Sequence, residues 1–219
     1  MWLMLLQAKG PMFYINQGGW VMWPLTGLLF LGLCIALTRI FVIWKAKTPV
    51  NEFMQKIRSL LLEKRLDDAI ETTKSYKGSI ANVFEAALLR LKQRGKADDL
   101  EKIVENKAIQ EVAHLEKGLW LLALISNVAP ILGFLGTVVG MIRSFDVLAK
   151  EGMNNPSAVA EGISVALITT AGGLIVAVVV LPFYNWLTTR ISTMINEMET
   201  ASNFLFETLD EMGPLDAKA

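Results

Sequence analysis

The chain has 219 residues, 53% of them hydrophobic, and a mean hydropathy of +0.43, which together lie outside the range usual for soluble globular domains. Its 21 Lys and Arg balance its 21 Asp and Glu, so no basic excess suggests nucleic-acid binding and no acidic excess suggests a disordered solvating tail. The single cysteine, Cys34, allows no intrachain disulfide and no thiolate metal site, and we expect it to face lipid or fill a packing gap.

Three long stretches without charge predict three membrane helices. They lie between Lys9 and Arg39, between Lys117 and Arg143, and between Glu161 and Arg190. Each stretch exceeds the roughly 20 residues that a helix needs to cross ~30 Å of hydrocarbon. We therefore predict an all-α integral membrane protein with spans at residues 20–44, 118–145 and 161–187.

Residues 1–19 precede the first span. They begin with an apolar run but lack a basic region and a small-x-small cleavage site, so we predict an interfacial segment on the outer surface rather than a signal peptide. Tryptophan and tyrosine are typical of the interfacial belts at span ends. The candidate anchors are Trp20, Trp23 and Trp44 for the first span, Trp120 for the second, and Tyr184 and Trp186 for the third.

The segment 45–117 carries 15 of the 21 Lys and Arg residues, so the positive-inside rule places it in the cytoplasm. Its apolar residues repeat at three- and four-residue spacings, which predicts a layer of amphipathic helices. The predicted helices are Asn51–Leu62, Leu66–Tyr76 and Ser79–Arg94, with breaks at Gly78 and Gly95. From Asp98 the pattern continues into the second span without Gly or Pro before Gly118, which predicts one long helix.

The second span, 118–145, repeats small residues at three- and four-residue spacings, which places them on one helix face. They are Gly133, Gly136, Thr137, Gly140 and Ser144. The loop 146–160 that follows is predicted to be periplasmic. The third span, 161–187, has a similar small face, formed by Gly162, Ala166, Thr170, Gly173 and Ala177. The C-terminal part, 188–219, is predicted to return to the cytoplasm as a helix to about Met212 and a tail.

Faces of small residues let membrane helices approach closely, because lipid provides no hydrophobic drive for association. Packing alone is therefore one interpretation of these glycines. Thr137 lies nine residues before Asp146, and Thr170 lies nine residues after Glu161. In an antiparallel hairpin both would sit ~14 Å below the outer polar boundary. We interpret this level pair as hydroxyls that line a narrow ion path.

No Asp, Glu, Lys, Arg or His lies in the middle of any predicted span. A proton carried through the membrane would therefore need an acid from another chain. Nothing in the segment 45–117 has metal-ligand spacing, a phosphate-cradling glycine run, or a nucleophile beside a base, so we predict no enzyme activity, no cofactor and no metal site. His114, the only histidine, is interpreted as an ordinary helix-face residue.

The sequence Pro130–Ile142 (PILGFLGTVVGMI) resembles the second-span signature of the MotA/TolQ/ExbB proton-channel family, in particular its ExbB/TolQ branch. The sequence Gly162–Leu174 (GISVALITTAGGL), followed by Pro182–Asn185 (PFYN), is similar to the third-span signature. The strong resemblance covers about Leu115 to Asn185, and span order, loop sizes and orientation extend a weaker one over the whole chain.

The resemblance implies a homopentamer in a bacterial inner membrane, in contact with lipid, that surrounds the membrane helices of a single-span partner of the ExbD/TolR type. A partner aspartate would face Thr137 and Thr170. Proton flow through that contact would drive movement passed to an energy transducer such as TonB or TolA. We also name candidate supporting positions around the path. These are Pro130, Ser144, Glu161, Ser164, Thr169 and Arg39.

Two positions depart from the branch. Val165 stands three residues after Gly162, at a position where the branch commonly has a glutamate. Thr38-Arg39 stands where the branch commonly has a Glu-Arg pair. A hydroxyl-lined path with one partner carboxylate is also compatible with sodium. The alternatives to a proton-driven stator subunit are therefore a sodium-driven stator, a flagellar-type stator, for which the 45–117 segment is short, and a passive helical scaffold.

Overall fold

The computed structural model describes residues 10–45, 49–94 and 100–212, and these residues form helices without any strand. The all-α prediction is thus confirmed for this part of the chain. The helices are α1 Pro11–Gln17, α2 Met22–Lys45, α3 Val50–Leu62, α4 Leu66–Ser75, α5 Ser79–Arg94, α6 Leu100–Glu116, α7 Leu119–Glu151 and α8 Pro156–Met212. A short 3-10 turn, Gly152–Asn154, joins α7 to α8.

Three segments are long and apolar enough to cross a membrane. They are Met22–Trp44, the stretch Leu100–Glu151 that combines α6 and α7, and Pro156–Met212. The first lies within the predicted span 20–44, and the other two contain the predicted spans 118–145 and 161–187. Cys34 is exposed on α2, and His114 is exposed on α6.

The first of two compact units comprises residues 10–37 and 118–186. Gly32 of α2 marks the point where three helices meet, because a Cβ added there would lie 2.9 Å from Val180 of α8 and 3.7 Å from Ile125 of α7. Near the start of α2, the thioether of Met22 fills the space above Gly172, 2.8 Å from where a Cβ would stand. The first unit is therefore a closely packed set of α2, α7 and the first part of α8.

The second unit comprises residues 38–117 and 187–212 of the described chain. Its core is apolar and aromatic, with Phe53 packed edge-on against Phe84 and Tyr76 at ring-centroid distances of 5.2 Å. Phe53 is fully buried. An exposed ion pair of 2.9 Å joins Arg58 to Glu211, and such surface pairs add little stability.

The helices predicted within 45–117 agree with α3, α4 and α5 to within one residue at each end. Gly78 has a φ of 146°, a conformation that L side chains rarely adopt, which explains the break before α5. Gly95 and Asp98 lie outside the described residues.

The prediction of one continuous helix into the second span is wrong at one point. Helix α6 ends at Glu116 and α7 begins at Leu119, because Gly118 adopts a left-handed conformation with φ 87°. By contrast, α8 continues without a break through the third span to Met212, as predicted. Much of the segment predicted as the loop 146–160 is helical, since α7 extends to Glu151 and α8 begins at Pro156.

Candidate ion-conducting site

Helices α7 and α8 are in close contact along a surface that we call the glycine interface. It is formed by Gly133, Gly136 and Gly140 of α7 and by Gly162, Ala166, Thr169 and Gly173 of α8. All seven residues are buried. The predicted small faces therefore face each other within one chain.

The contact is backbone to backbone. A Cβ added to Gly140 would lie 2.8 Å from the Gly162 carbonyl oxygen and 2.9 Å from the Ala166 nitrogen. A Cβ added to Gly133 would lie 3.2 Å from the Cα atoms of Thr170 and Gly173. Because backbone atoms cannot rotate away as a side chain does, these positions admit no larger residue without separating the helices.

The two threonines predicted to be level are in direct contact. The Thr137 hydroxyl and the Thr170 hydroxyl form a short hydrogen bond with each other. Each hydroxyl also lies near one backbone carbonyl of α7 and one of α8. Thr137 Oγ1 lies 3.4 Å from the Gly133 carbonyl and 3.3 Å from the Ala166 carbonyl. For Thr170 Oγ1 the corresponding distances are 3.3 Å and 3.4 Å. The hydroxyl pair thus links α7 to α8 at one depth.

The hydrogen-bonding capacity of the pair exceeds what the chain uses. Two hydroxyls supply two donors and about four acceptor lone pairs. One donor serves the bond between Thr137 and Thr170, and the other can serve a backbone carbonyl of Gly133 or Ala166. About three acceptor lone pairs then remain for a further donor or cation. A protonated carboxyl group or a small cation is suited to such a site.

The pair lies at a partly accessible edge of the glycine interface, because Thr137 and Thr170 are both half-buried. Large apolar side chains surround it. One turn away, Phe134 is 66% exposed and Leu174 is 52% exposed, while Leu167 is 65% exposed. Two polar groups are therefore set in an apolar face that is open in the single chain.

Two further polar residues support the interface from within. Thr169 is fully buried and donates to the carbonyls of Ala166 at 2.8 Å and Val165 at 3.1 Å. Ser144 is also buried and reaches across from α7 to the Val159 carbonyl of α8 at 3.0 Å. Both hydroxyls are occupied by backbone carbonyls, so their geometry supports packing rather than ion contact.

Among the described residues, no hydrogen bond or ion pair joins the other predicted site residues to the hydroxyl pair. Pro130, Ser164 and Ala177 are half-buried, Glu161 is exposed, and Arg39 is half-buried in the second unit. Val165, which stands in place of the common glutamate, lies beside the turn before α2, 3.9 Å from where a Cβ of Gly19 would stand.

Ala129 was not predicted from the sequence as part of this contact, yet it is fully buried and its carbonyl lies 2.5 Å from where a Cβ of Gly173 would stand. Its spacing of four residues from Gly133 continues the small face and was the available signal. Gly172, which contacts Met22 of α2, was not predicted either. The adjacent glycines 172 and 173 serve two different faces of α8.

Comparison with known proteins agrees with this geometry. Residues 75–200, more than half of the chain, match the MotA/TolQ/ExbB proton channel family. The chain belongs to this family. The match includes the whole glycine interface and both threonines, and together with the three apolar segments it makes the chain a multi-pass membrane protein of this family.

Relatives of the ExbB type are found across distant organisms. A biopolymer transport protein ExbB homolog of Methanothermobacter thermautotrophicus is 34% identical over 84% of this chain, and the alignment spans 65% of that relative's length. The biopolymer transport protein exbB1 of Vibrio cholerae is 29% identical over 74% of this chain and 72% of its own. The ExbB of Neisseria gonorrhoeae is 24% identical over 78% of this chain and 82% of its own. These similarities support the ExbB/TolQ branch.

Proposed function

We propose that this chain is a channel-forming stator subunit of an ion-driven motor in a bacterial inner membrane. The observation that carries the proposal is the contact between Thr137 and Thr170, because it sets two hydroxyls with unused acceptor lone pairs in an open apolar face. A carboxyl group on an apolar helix of another chain fits this face. The apolar side chains would contact that helix, and the hydroxyls would meet its acid.

The partner in this proposal is a single-span subunit of the ExbD/TolR type that supplies a membrane aspartate. This chain has no ionisable group in the middle of its spans, so it cannot take up and release a proton there by itself. Five copies would surround the partner helices, with residues 45–117 and 188–219 in the cytoplasm and the N-terminus outside. Proton motive force would then drive a TonB- or TolA-like transducer for envelope transport or maintenance.

Single-hydroxyl deletions test the ion path. Thr137→Val and Thr170→Val are near-isosteric, and Thr26→Val is a matched control, because Thr26 on α2 donates only to the Met22 carbonyl of its own helix at 2.8 Å. We expect each of the first two variants to lower partner-dependent proton uptake by about tenfold, the loss of one hydrogen bond to a charged group. Uptake is measured in vesicles containing the chain and its single-span partner. Full uptake in both variants at normal protein levels would exclude the ion path.

A passive scaffold is a second hypothesis, and the backbone contacts of the glycine interface favour it. It predicts that Gly136→Leu abolishes assembly, because Gly136 faces the fully buried Thr169, while both valine variants assemble and behave as the unmodified chain does. The acceptor oxygens of the hydroxyl pair also suit a sodium ion. Repeating the uptake assay with a sodium gradient in place of a proton gradient therefore distinguishes a sodium-driven stator from a proton-driven one.

A further inference from the structure

The second unit contains a cavity of about 520 Å³ that the ion path does not use. It lies among the first turns of α3 and α5 and the part of α8 that follows the third span. Its polar lining includes Asn51, Ser79, Arg190, Thr193 and Glu197. Three methionines, Met54, Met194 and Met198, supply an apolar wall. A cavity lined in this way is suited to an amphiphilic ligand.

We propose that this cavity binds the phosphate group of a membrane phospholipid. Arg190 is half-buried and has no ion-pair or hydrogen-bond partner within the described ranges. Ser79 is only 5% exposed, lines the same cavity, and its hydroxyl likewise has no partner among the described residues. Guanidinium and hydroxyl groups are strong donors to phosphate oxygens.

Ser79 also begins the 16-residue helix α5, and Ser79 and Ile80 of its first turn both line the cavity, at the helix end whose N–H groups lack partners within the helix. Such groups favour an anion. Guanidinium, hydroxyl and helix N-terminus thus come from two different helices and converge on one cavity.

The position of Arg190 along α8 indicates a lipid as the source of the phosphate. Arg190 follows Trp186 by four residues, about 6 Å of helix. Tryptophan marks the membrane interface, and the polar headgroup layer is about 5–7 Å thick on each side of the hydrocarbon. The methionine wall would contact the glycerol and the first part of an acyl chain, which a free phosphate ion lacks.

Glu197 gives the cavity a second charge. It lies seven residues beyond Arg190, about 10 Å along the helix, so it does not neutralise the guanidinium directly. A headgroup with both a phosphate and an ammonium group would place opposite charges toward these two residues. The cavity is therefore expected to prefer phosphatidylethanolamine over phosphatidylglycerol.

Native mass spectrometry of the full chain in detergent tests the proposal, with phosphatidylethanolamine and phosphatidylglycerol as separate probes. We expect Arg190→Gln to weaken binding of phosphatidylethanolamine about tenfold or more, as for a charged hydrogen bond. Arg190→Lys should retain most of the binding because the charge remains. Lys102→Gln, which removes an exposed positive charge outside the cavity on α6, is the matched control and should bind as the unmodified chain does.

Inorganic phosphate is the third probe. If inorganic phosphate displaces phosphatidylethanolamine from the unmodified chain, and Arg190→Gln weakens the binding of both, the cavity binds phosphate and its occupant is a free anion. If inorganic phosphate does not displace the lipid, the occupant is a lipid. Ser79→Ala is the second test variant, used if Arg190→Gln does not fold. It is expected to weaken the binding of phosphatidylethanolamine severalfold. Binding that is equal in the unmodified chain, Arg190→Gln and Ser79→Ala would overturn the proposal.

Discussion

The hydroxyl of Thr137 on α7 contacts the hydroxyl of Thr170 on α8, and both lie within 3.4 Å of the carbonyls of Gly133 and Ala166. The pair is thus a link between helices as well as a candidate ion site. A structural role and a conducting role make different demands on the same atoms. Stability measurements can therefore separate them from measurements of ion flow.

A double-mutant cycle measures the structural part. We expect Thr137→Val and Thr170→Val each to lower the free energy of unfolding by about 1 kcal/mol, with a coupling of about 0.6 kcal/mol or more because they share one hydrogen bond. Unfolding in detergent micelles is followed by the circular dichroism of the helices. Thr26→Val should show no coupling to Thr137→Val, since Thr26 bonds within its own helix. Strictly additive effects of the two valines would argue against the shared bond.

The glycine interface predicts that alanine changes the stability of the fold very differently at two glycines of the membrane helices. Gly140→Ala should destabilise the fold by about 1–3 kcal/mol, because the new methyl group would meet the Gly162 carbonyl and the Ala166 backbone. Gly27→Ala on α2 is the control, since a Cβ there meets nothing within 4 Å. Alanine favours helix over glycine, so Gly27→Ala should be neutral or stabilising by up to about 1 kcal/mol. Thermal unfolding of both variants gives the comparison, and equal destabilisation would contradict the interface.

Much of this architecture follows from the sequence because membrane and helix patterns are local. The charge gaps locate the three spans, and the three- and four-residue spacings give α3 to α5 almost to the residue. Equal distances from Asp146 and Glu161 placed Thr137 and Thr170 level, and their contact confirms it. What the pattern could not show is which of two adjacent glycines faces which helix, as at Gly172 and Gly173.

The sequence pattern also does not predict the backbone conformation of a single glycine. The apolar pattern continues through Gly118, and a glycine within a helical pattern is as compatible with a helix as with a break. The cavity around Arg190 also escaped sequence analysis, because its walls come from segments that are far apart along the chain. Periodicity describes one helix at a time and cannot bring α3, α5 and α8 together.

The left-handed conformation of Gly118 gives a third prediction. Gly118→Ala should cost about 1–2 kcal/mol of stability, since an L residue is strained at φ 87°. Gly118→Asn should lose less, because asparagine tolerates this conformation better than alanine. Chemical unfolding of the two variants in the same detergent tests the ranking. If alanine is accepted without loss, the break between α6 and α7 is not maintained in solution.

The fourth prediction concerns assembly. Thr137 and Thr170 lie in an open apolar face, and polar groups in membrane helices are commonly directed to a protein interior or an aqueous cavity rather than to lipid. A ring of chains would enclose this face. We expect native mass spectrometry in a mild detergent to show an assembly of five copies of the 24.2 kDa chain.

Gly140→Ala should weaken this assembly because it separates α7 from α8, while Gly27→Ala should leave it intact. A monodisperse monomer or dimer of the unmodified chain would contradict the ring, because the hydroxyl pair would then remain open to the detergent.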